Sequence, residues 1–243
     1  MRIAVVSDIH SNLEALEAVL ADLQGRRPDC VICLGDFVGY GPDPNACIDV
    51  LAPRLRAAVV GNHDVAAIGA RSIDNFNLLA QEAIIWTQRT LVNGARTYLT
   101  ALPQRADLEG LLIVHASPRQ PVDEYILEVR EARAAFAADP FRIAVVGHTH
   151  QPAVFVELNH RVSAQGLLPE VALRLEENRR YIINVGSVGQ PRDGDPRAAY
   201  AIIDTTELVA TLYRVSYPIE ETQRKMEAAG LPGPLIERLA FGR

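Results

Sequence analysis

The sequence is poor in cysteine and aromatic residues, and it has no long apolar run. Its 243 residues include 3 Cys, 1 Trp and 6% aromatic side chains in all. An odd, small cysteine count excludes a fully paired disulfide framework and fits a reducing compartment. Cys30 and Cys33 have the spacing of a redox pair, but they lie in a strand-like run rather than at a helix N-terminus, so they read as core residues. No stretch approaches the roughly 18 apolar residues of a membrane span, and the start shows no basic n-region or cleavage site, so a cytoplasmic location is expected. The charge balance, 24 Lys+Arg against 30 Asp+Glu, gives a net −6 and disfavours a broad nucleic-acid footprint. The scarcity of aromatics also disfavours a long single-strand track of interleaved aromatic and basic residues. There is no Gly/Ser-rich linker and no internal repeat. A single domain over 1–243 is expected, with terminal helices at about 219–241 packed on it.

What is present is a repeated strand–turn unit. Arg2–Val6 is a short, mostly apolar run that breaks off into Ser7-Asp8-Ile9-His10. Leu13, Leu16, Val19, Leu20 and Leu23 then recur at helical period, with Ser11 and Glu14 at capping-box spacing and Gly25 at the expected end. A second strand (29–36), a Gly/Pro-rich loop, a helix around 44–52 and a third strand entering Gly61-Asn62-His63-Asp64 complete an α/β opening with a mostly parallel sheet. Residues 74–100 and 128–138 read as helical, and 111–114 and 141–146 as strands. Short β-like runs at 153–158, 171–175, 180–185, 198–204 and 207–214 suggest a second sheet of hairpins. Helices are expected at 221–228 and 235–239.

Five of the six histidines fall just after predicted strands; His160 does not, and reads as a surface residue. Asp8, His10, Asp36, Asn62, His63, His115, His148 and His150 therefore share the carboxyl edge of the strands, where α/β sheets build their sites. Mixed Asp, Asn and His ligands suit two divalent ions such as Mn²⁺, Fe or Zn²⁺. A carboxylate can bridge two such ions, and Asp36 is the best placed to do so. Asp64 either supports His63 or serves the turn. The loop Asn184–Arg192 is rich in glycine and hydroxyls and can face an anion, with Arg192 a candidate for a phosphate or base. Asn12, after the first motif, is a candidate phosphate contact. Tyr40 is a candidate to stack on a base or to pack its own loop.

These motifs, Asp8-Ile-His10, Gly35-Asp36-Phe-Val-Gly-Tyr-Gly41, Gly61-Asn-His-Asp64, the lone His115 and Gly147-His-Thr-His150, resemble those of the calcineurin-like metallophosphoesterase family. The resemblance implies a four-layer α/β/β/α sandwich with two mixed β-sheets. It also implies a metal assignment. Asp8, His10 and His150 hold one ion, Asn62, His115 and His148 hold the other, and Asp36 bridges. His63 is the general acid or phosphate donor, and Asp64 orients or charge-stabilises it. The implied activity is phosphoester hydrolysis by a metal-activated hydroxide on small phosphorylated or nucleotide substrates, with Mg or Ni as further candidate ions. Protein Ser/Thr phosphatases of this superfamily carry an Arg soon after the Gly-Asp motif. None stands between Phe37 and Gly41, which counts against a close relative of those phosphatases and favours the small bacterial phosphodiesterase branch, with a phosphomonoesterase on the same site as the alternative. The retromer subunit of the same fold has lost ligands and acts as a scaffold, whereas every ligand is present here. A homo-oligomer is compatible with the sequence.

Overall fold

The computed structural model describes residues 1–243. Twelve strands are formed: β1 (Arg2–Val6), β2 (Cys30–Cys33), β3 (Leu55–Ala58), β4 (Arg105–Leu108), β5 (Leu111–Val114), β6 (Ile143–Val146), β7 (Ala153–Leu158), β8 (Arg161–Gly166), β9 (Leu173–Arg174), β10 (Arg180–Asn184), β11 (Ala198–Asp204) and β12 (Val209–Val215). They build two six-stranded mixed sheets, in the orders β3-β2-β1-β11-β12-β9 and β4-β5-β6-β10-β7-β8. The later strands do not form a sheet of their own, contrary to expectation. β1 has β2 parallel on one side and needs a partner on the other. β11 supplies it, antiparallel, with Val5 opposite Ala201. β10 joins β6 in parallel and carries β7 and β8 into the second sheet.

β1 is covered on both faces, and its alternation assigns each face to a layer. Ile3 and Val5 point between the sheets, where they meet Ile113, Val145, Ile183 and Ile203. Ala4 and Val6 point outward, beneath α1 (Leu13–Arg26) and α2 (Pro44–Leu51), in a cluster that includes Leu16, Val19, Cys33 and Leu51. A fully buried Ile or Val contributes about 1.5–3 kcal/mol, so the run that opens the chain is also a main source of its cohesion. Three further helices follow: α3 (Asn62–Ala67), α4 (Leu78–Thr90) and α5 (Asn93–Ala101). On the far side of the second sheet, α6 (Val129–Ala138) buries Ala132, Ala135 and Phe136 against Leu112, Val146 and Ile182. The result is the four-layer α/β/β/α sandwich.

Two ends of α1 differ from the sequence reading. Asn12, not Ser11, is the N-cap, with its Oδ1 accepting from Ala15 N at 3.1 Å; Ser11 is held back by a left-handed φ of 56°. The helix continues through Gly25, and Arg27, at φ 50°, ends it. β4 and β8 were not anticipated. Both are edge strands with partly exposed patterns, which carry little apolar periodicity.

The terminal helices α7 (Ile219–Ala228) and α8 (Gly233–Glu237) pack Met226, Leu231 and Leu235 against Ala80 and Ala83 of α4 and against Tyr40. Lys225, the only lysine in the sequence, pairs there with Glu14 and, at 2.9 Å, with Asp43. Although burial opposes its charge, hydrogen bonds to both carboxylates push its pKa up to about 12. A raised pKa means that this contribution is complete below the unfolded value near 10.5 and is lost as pH climbs through about 12. Lys225→Met should lower stability by about 1–3 kcal/mol in urea unfolding at neutral pH, because Glu14 and Asp43 lose their cation. A change under about 0.5 kcal/mol would contradict this.

Candidate metal centre and active site

The two sheets present their carboxyl-terminal strand ends to one place. β1 leads into Asp8–Ser11, β2 into Gly35-Asp36, β5 into His115, β6 into His148–His150, and α3 begins at Asn62. Main-chain hydrogen bonds bind these exits to one another. Asp8 N donates to Gly35 O and His10 N to Asp36 O, both at 3.0 Å; Gly147 N donates to His115 O at 2.8 Å, and Gly189 N to Asp8 O at 2.9 Å. Asp8, His10, Asp36, His148 and His150 all adopt left-handed φ values of 48–64°. That conformation costs on the order of 1–2 kcal/mol per residue, and Asp, Asn and His are among the side chains that tolerate it best. It turns the chain sharply at each exit, so ligand-type side chains face inward. Two glycines are required by contact: a Cβ at Gly61 would fall on the Asp36 carboxylate, and one at Gly147 on Ser7 and Asp8.

Hydrogen bonding fixes the chemistry of the histidines. His10 Nδ1 lies 3.0 Å from Val38 O, His115 Nδ1 2.9 Å from Leu34 O, His150 Nδ1 2.6 Å from Gln190 O, and His148 Nε2 3.2 Å from Asp123 O. A carbonyl only accepts, so each of these ring nitrogens carries the proton and the other carries a lone pair. The lone pairs converge. His10 Nε2 and His150 Nε2 are 3.1 Å apart, and His115 Nε2 is 3.1 Å from both His148 Nδ1 and Asn62 Oδ1. Asp8 Oδ1 is 3.3 Å from His150 Nε2, while Asp36 Oδ2 is 3.5 Å from His10 Nε2 and 3.4 Å from His115 Nε2.

Protonation of the rings does not relieve this crowding. Burial lowers the pKa of all four rings, that of His150 to about 4. Burial first, then the neighbouring Asp64 and Asp8 carboxylates, push Asp36 well above the ordinary carboxylate range. Asp8 is held below that range despite its burial, by His150. Ring nitrogens and carboxylate oxygens crowded this closely fit a cation. Ligands bonded to an ion at about 2.0–2.2 Å stand roughly 3–3.5 Å from one another, as these atoms do. Three sets of side chains could each hold an ion: Asp8, His10 and His150; Asp36, His115 and His148; and His10, Asp36 and His63. Asp36 is common to the last two.

The model of the calcineurin-like phosphoesterase superfamily domain matches residues 1–208. The chain belongs to this superfamily. A crystal structure of a metallophosphoesterase from Sphaerobacter thermophilus is 43% identical and superposes with a TM-score of 0.89, over 100% of this chain and 99% of that one. An uncharacterized protein of Methanocaldococcus jannaschii is 39% identical over 249 residues, 99% of this chain and 98% of its own length. Serine/threonine-protein phosphatase 1 of Salmonella typhimurium is 29% identical over 167 residues, 68% of this chain and 66% of that protein.

The remaining candidates of this phosphoesterase fall into three groups. His63 is beside the cluster: it is buried, its ring lies 4.8 Å from that of His10 and 5.1 Å from that of Phe76, and its Nδ1 has no partner. Arg192 is half-buried, with its guanidinium 5.5 Å from the Tyr40 ring centre and its Nη2 donating to Gln190 Oε1 at 2.8 Å. Asp64, Asn12 and Tyr40 are otherwise employed. Asp64 does not bond His63; its carboxylate accepts from Gly61 N and Val38 N, so it serves the turn into α3. Asn12 does not face a phosphate, because its Oδ1 caps α1 and accepts from Thr222 while its Nδ2 donates to Gly189 O. Tyr40 packs its loop, with its ring against His10 and His63 at 4.6 and 4.4 Å.

A cleft of about 470 Å³ opens over Asn62, His63 and His148 and runs between Phe76, Asn77 and Tyr125. Tyr125 stacks on His148 at 3.9 Å, and Arg71 pairs with Asp123 at 2.5 Å across the rim. Gln190, Asp123 and these rim residues were missed because they follow no periodic or ligand-like pattern. Only the fold brings them near the histidines.

Metal binding should show directly in stability. Adding Mn²⁺ or Zn²⁺ to protein stripped of metal should raise its thermal midpoint, by about 2.7 kcal/mol of stabilisation at a hundredfold excess over Kd. Asp36→Asn should remove most of that rise. An unchanged midpoint in the parent protein would contradict the reading of the cluster as a cation site.

Proposed function

We propose that this chain is a two-metal phosphodiesterase acting on small phosphorylated or nucleotide substrates. The observation that carries the reading is the set of convergent lone pairs, divided into two groups on either side of Asp36. Asp8, His10 and His150 are assigned to one ion, Asn62, His115 and His148 to the other, and Asp36 to both. When bound, divalent ions supply a nucleophile from water at neutral pH and offset charge on the phosphoryl oxygens. The chain's own groups do the rest. His63, fixed between His10, Tyr40 and Phe76, gives a hydrogen bond or a proton to the leaving oxygen. Asn62 heads the cleft, and its side-chain amide also offers donors to a phosphoryl oxygen. Arg192 brings a cation to the Tyr40 ring and to Gln190, which holds His150, and from there it draws an anionic substrate.

A diester has a second arm to accommodate. The cleft offers it the Tyr125 and Phe76 rings and the amides of Asn75 and Asn77. Phe37 and Val38 are fully buried where a phosphatase of the protein-directed kind would need a basic residue, which also favours diesters. The likeness to a serine/threonine-protein phosphatase keeps a monoesterase as the second reading. Three unpaired cysteines, Cys30, Cys33 and Cys47, support a cytoplasmic setting.

With Mn²⁺ supplied, the protein should hydrolyse bis-p-nitrophenyl phosphate faster than p-nitrophenyl phosphate. His63→Ala should lower kcat by about 10²–10⁴ with metal content unchanged. Inactivity of the metal-loaded parent on both esters would overturn the reading, and a fully active His63→Ala variant would remove His63 from the mechanism.

A further inference from the structure

Beyond the metal cluster, one pair of charges stands without its usual partners. Arg192, in the loop after β10, and Arg238, just after α8, both donate to the same atom, Gln190 Oε1, from Nη2 at 2.8 Å and Nη1 at 3.4 Å. Two guanidinium groups are thereby held against one amide oxygen. No Asp or Glu pairs with either. The acids flanking Arg192 are committed elsewhere, Asp193 to Arg214 and Asp195 to Arg197 and Arg214. Arg238 Nε donates to a main-chain oxygen of Arg243, the last residue of the sequence, and Arg192 Nε is buried with no partner. Both side chains are half-buried, and the pKa of Arg238 is lowered by burial and then by the like charge of Arg192. Holding two cations together in this way is unfavourable unless something anionic lies between them or against them.

The pair is coupled to the centre by position. Gln190 takes the two arginines on its side chain, and its main-chain oxygen accepts from His150 Nδ1 at 2.6 Å. The Tyr40 ring contacts Arg192 as well as His10 and His63. An anion on these arginines would thus lie beside the Tyr40 ring that also packs on the cluster histidines. Guanidinium groups suit the oxygens of phosphate, to which they donate in pairs.

We propose that Arg192 and Arg238 form an anion subsite beside the metal centre, taking a phosphate group other than the one being hydrolysed. That phosphate is either carried elsewhere on the substrate or free in solution. The first source rests on the phosphoesterase reading, and the second does not. The subsite also gives the C-terminal helices a role in recognition, since Arg238 reaches the site only because α7 and α8 dock on Tyr40 and α4.

Calorimetric titration of the full chain loaded with Mn²⁺ tests this without turnover. Inorganic phosphate should bind at two sites per chain in the parent and at one in Arg238→Gln, where the surviving site shows that the fold is intact. Thymidine 3′,5′-bisphosphate should bind about tenfold tighter than thymidine 5′-phosphate in the parent, and Arg238→Gln should abolish that gain. A second phosphate site lost in the variant without any gain for the bisphosphate assigns the subsite to free phosphate. One phosphate in the parent, or two in the variant, overturns the proposal. Hydrolysis of bis-p-nitrophenyl phosphate, measured separately, reports on the phosphoesterase reading alone.

Discussion

A neutral imidazole has one N–H and one lone pair. In this protein His10, His115, His148 and His150 each give the N–H to a main-chain carbonyl. Their lone pairs are therefore fixed before any ligand arrives, and they point at one another and at Asp8, Asp36 and Asn62. The carbonyls belong to the loops after β2 and β10, to the end of β2 and to the segment before Tyr125. The orientation of the site is thus written into the packing of the strands. The left-handed turns at Asp8, His10, Asp36, His148 and His150 are the local cost of that arrangement.

The C-terminal part of the chain supports this arrangement from two sides. β11 completes the pairing of β1, and the loop before it holds Asp8 through Ser187 Oγ and Gly189 N. From the other side, α7 places Thr222 on Asn12 and Glu14, and Lys225 on Glu14 and Asp43. Asn12, Glu14 and Asp43, around the first loop, are therefore tied to the C-terminal part of the chain.

The residues that gather in the cluster were legible in the sequence because each follows a short apolar run and belongs to a motif of unusual composition. Burial of β1, β2, β5 and β6 on both faces produced those runs, and the turn geometry demanded Gly, Asp and His after them. The four-layer architecture was legible through the family resemblance. The distribution of strands between the sheets was not, because β11 and β10 read alike as apolar runs and only pairing geometry separates them. Of the two readings open for Asp64 the turn is the one its hydrogen bonds show, and the cap role of Asn12 was not read; in both cases a helix start claims the oxygen. Arg238 carried no local signal, and Gln190 only its place in the loop Asn184–Arg192, since the contact between them spans 48 residues of chain.

The central claim is that two cations occupy the space between these lone pairs. Anomalous diffraction from a crystal grown with Mn²⁺ measures it most directly. Two peaks are predicted, one bounded by Asp8, His10 and His150 and the other by Asn62, His115 and His148, with the Asp36 carboxylate between them. A single peak, or peaks that leave Asp36 without contact, would contradict the account.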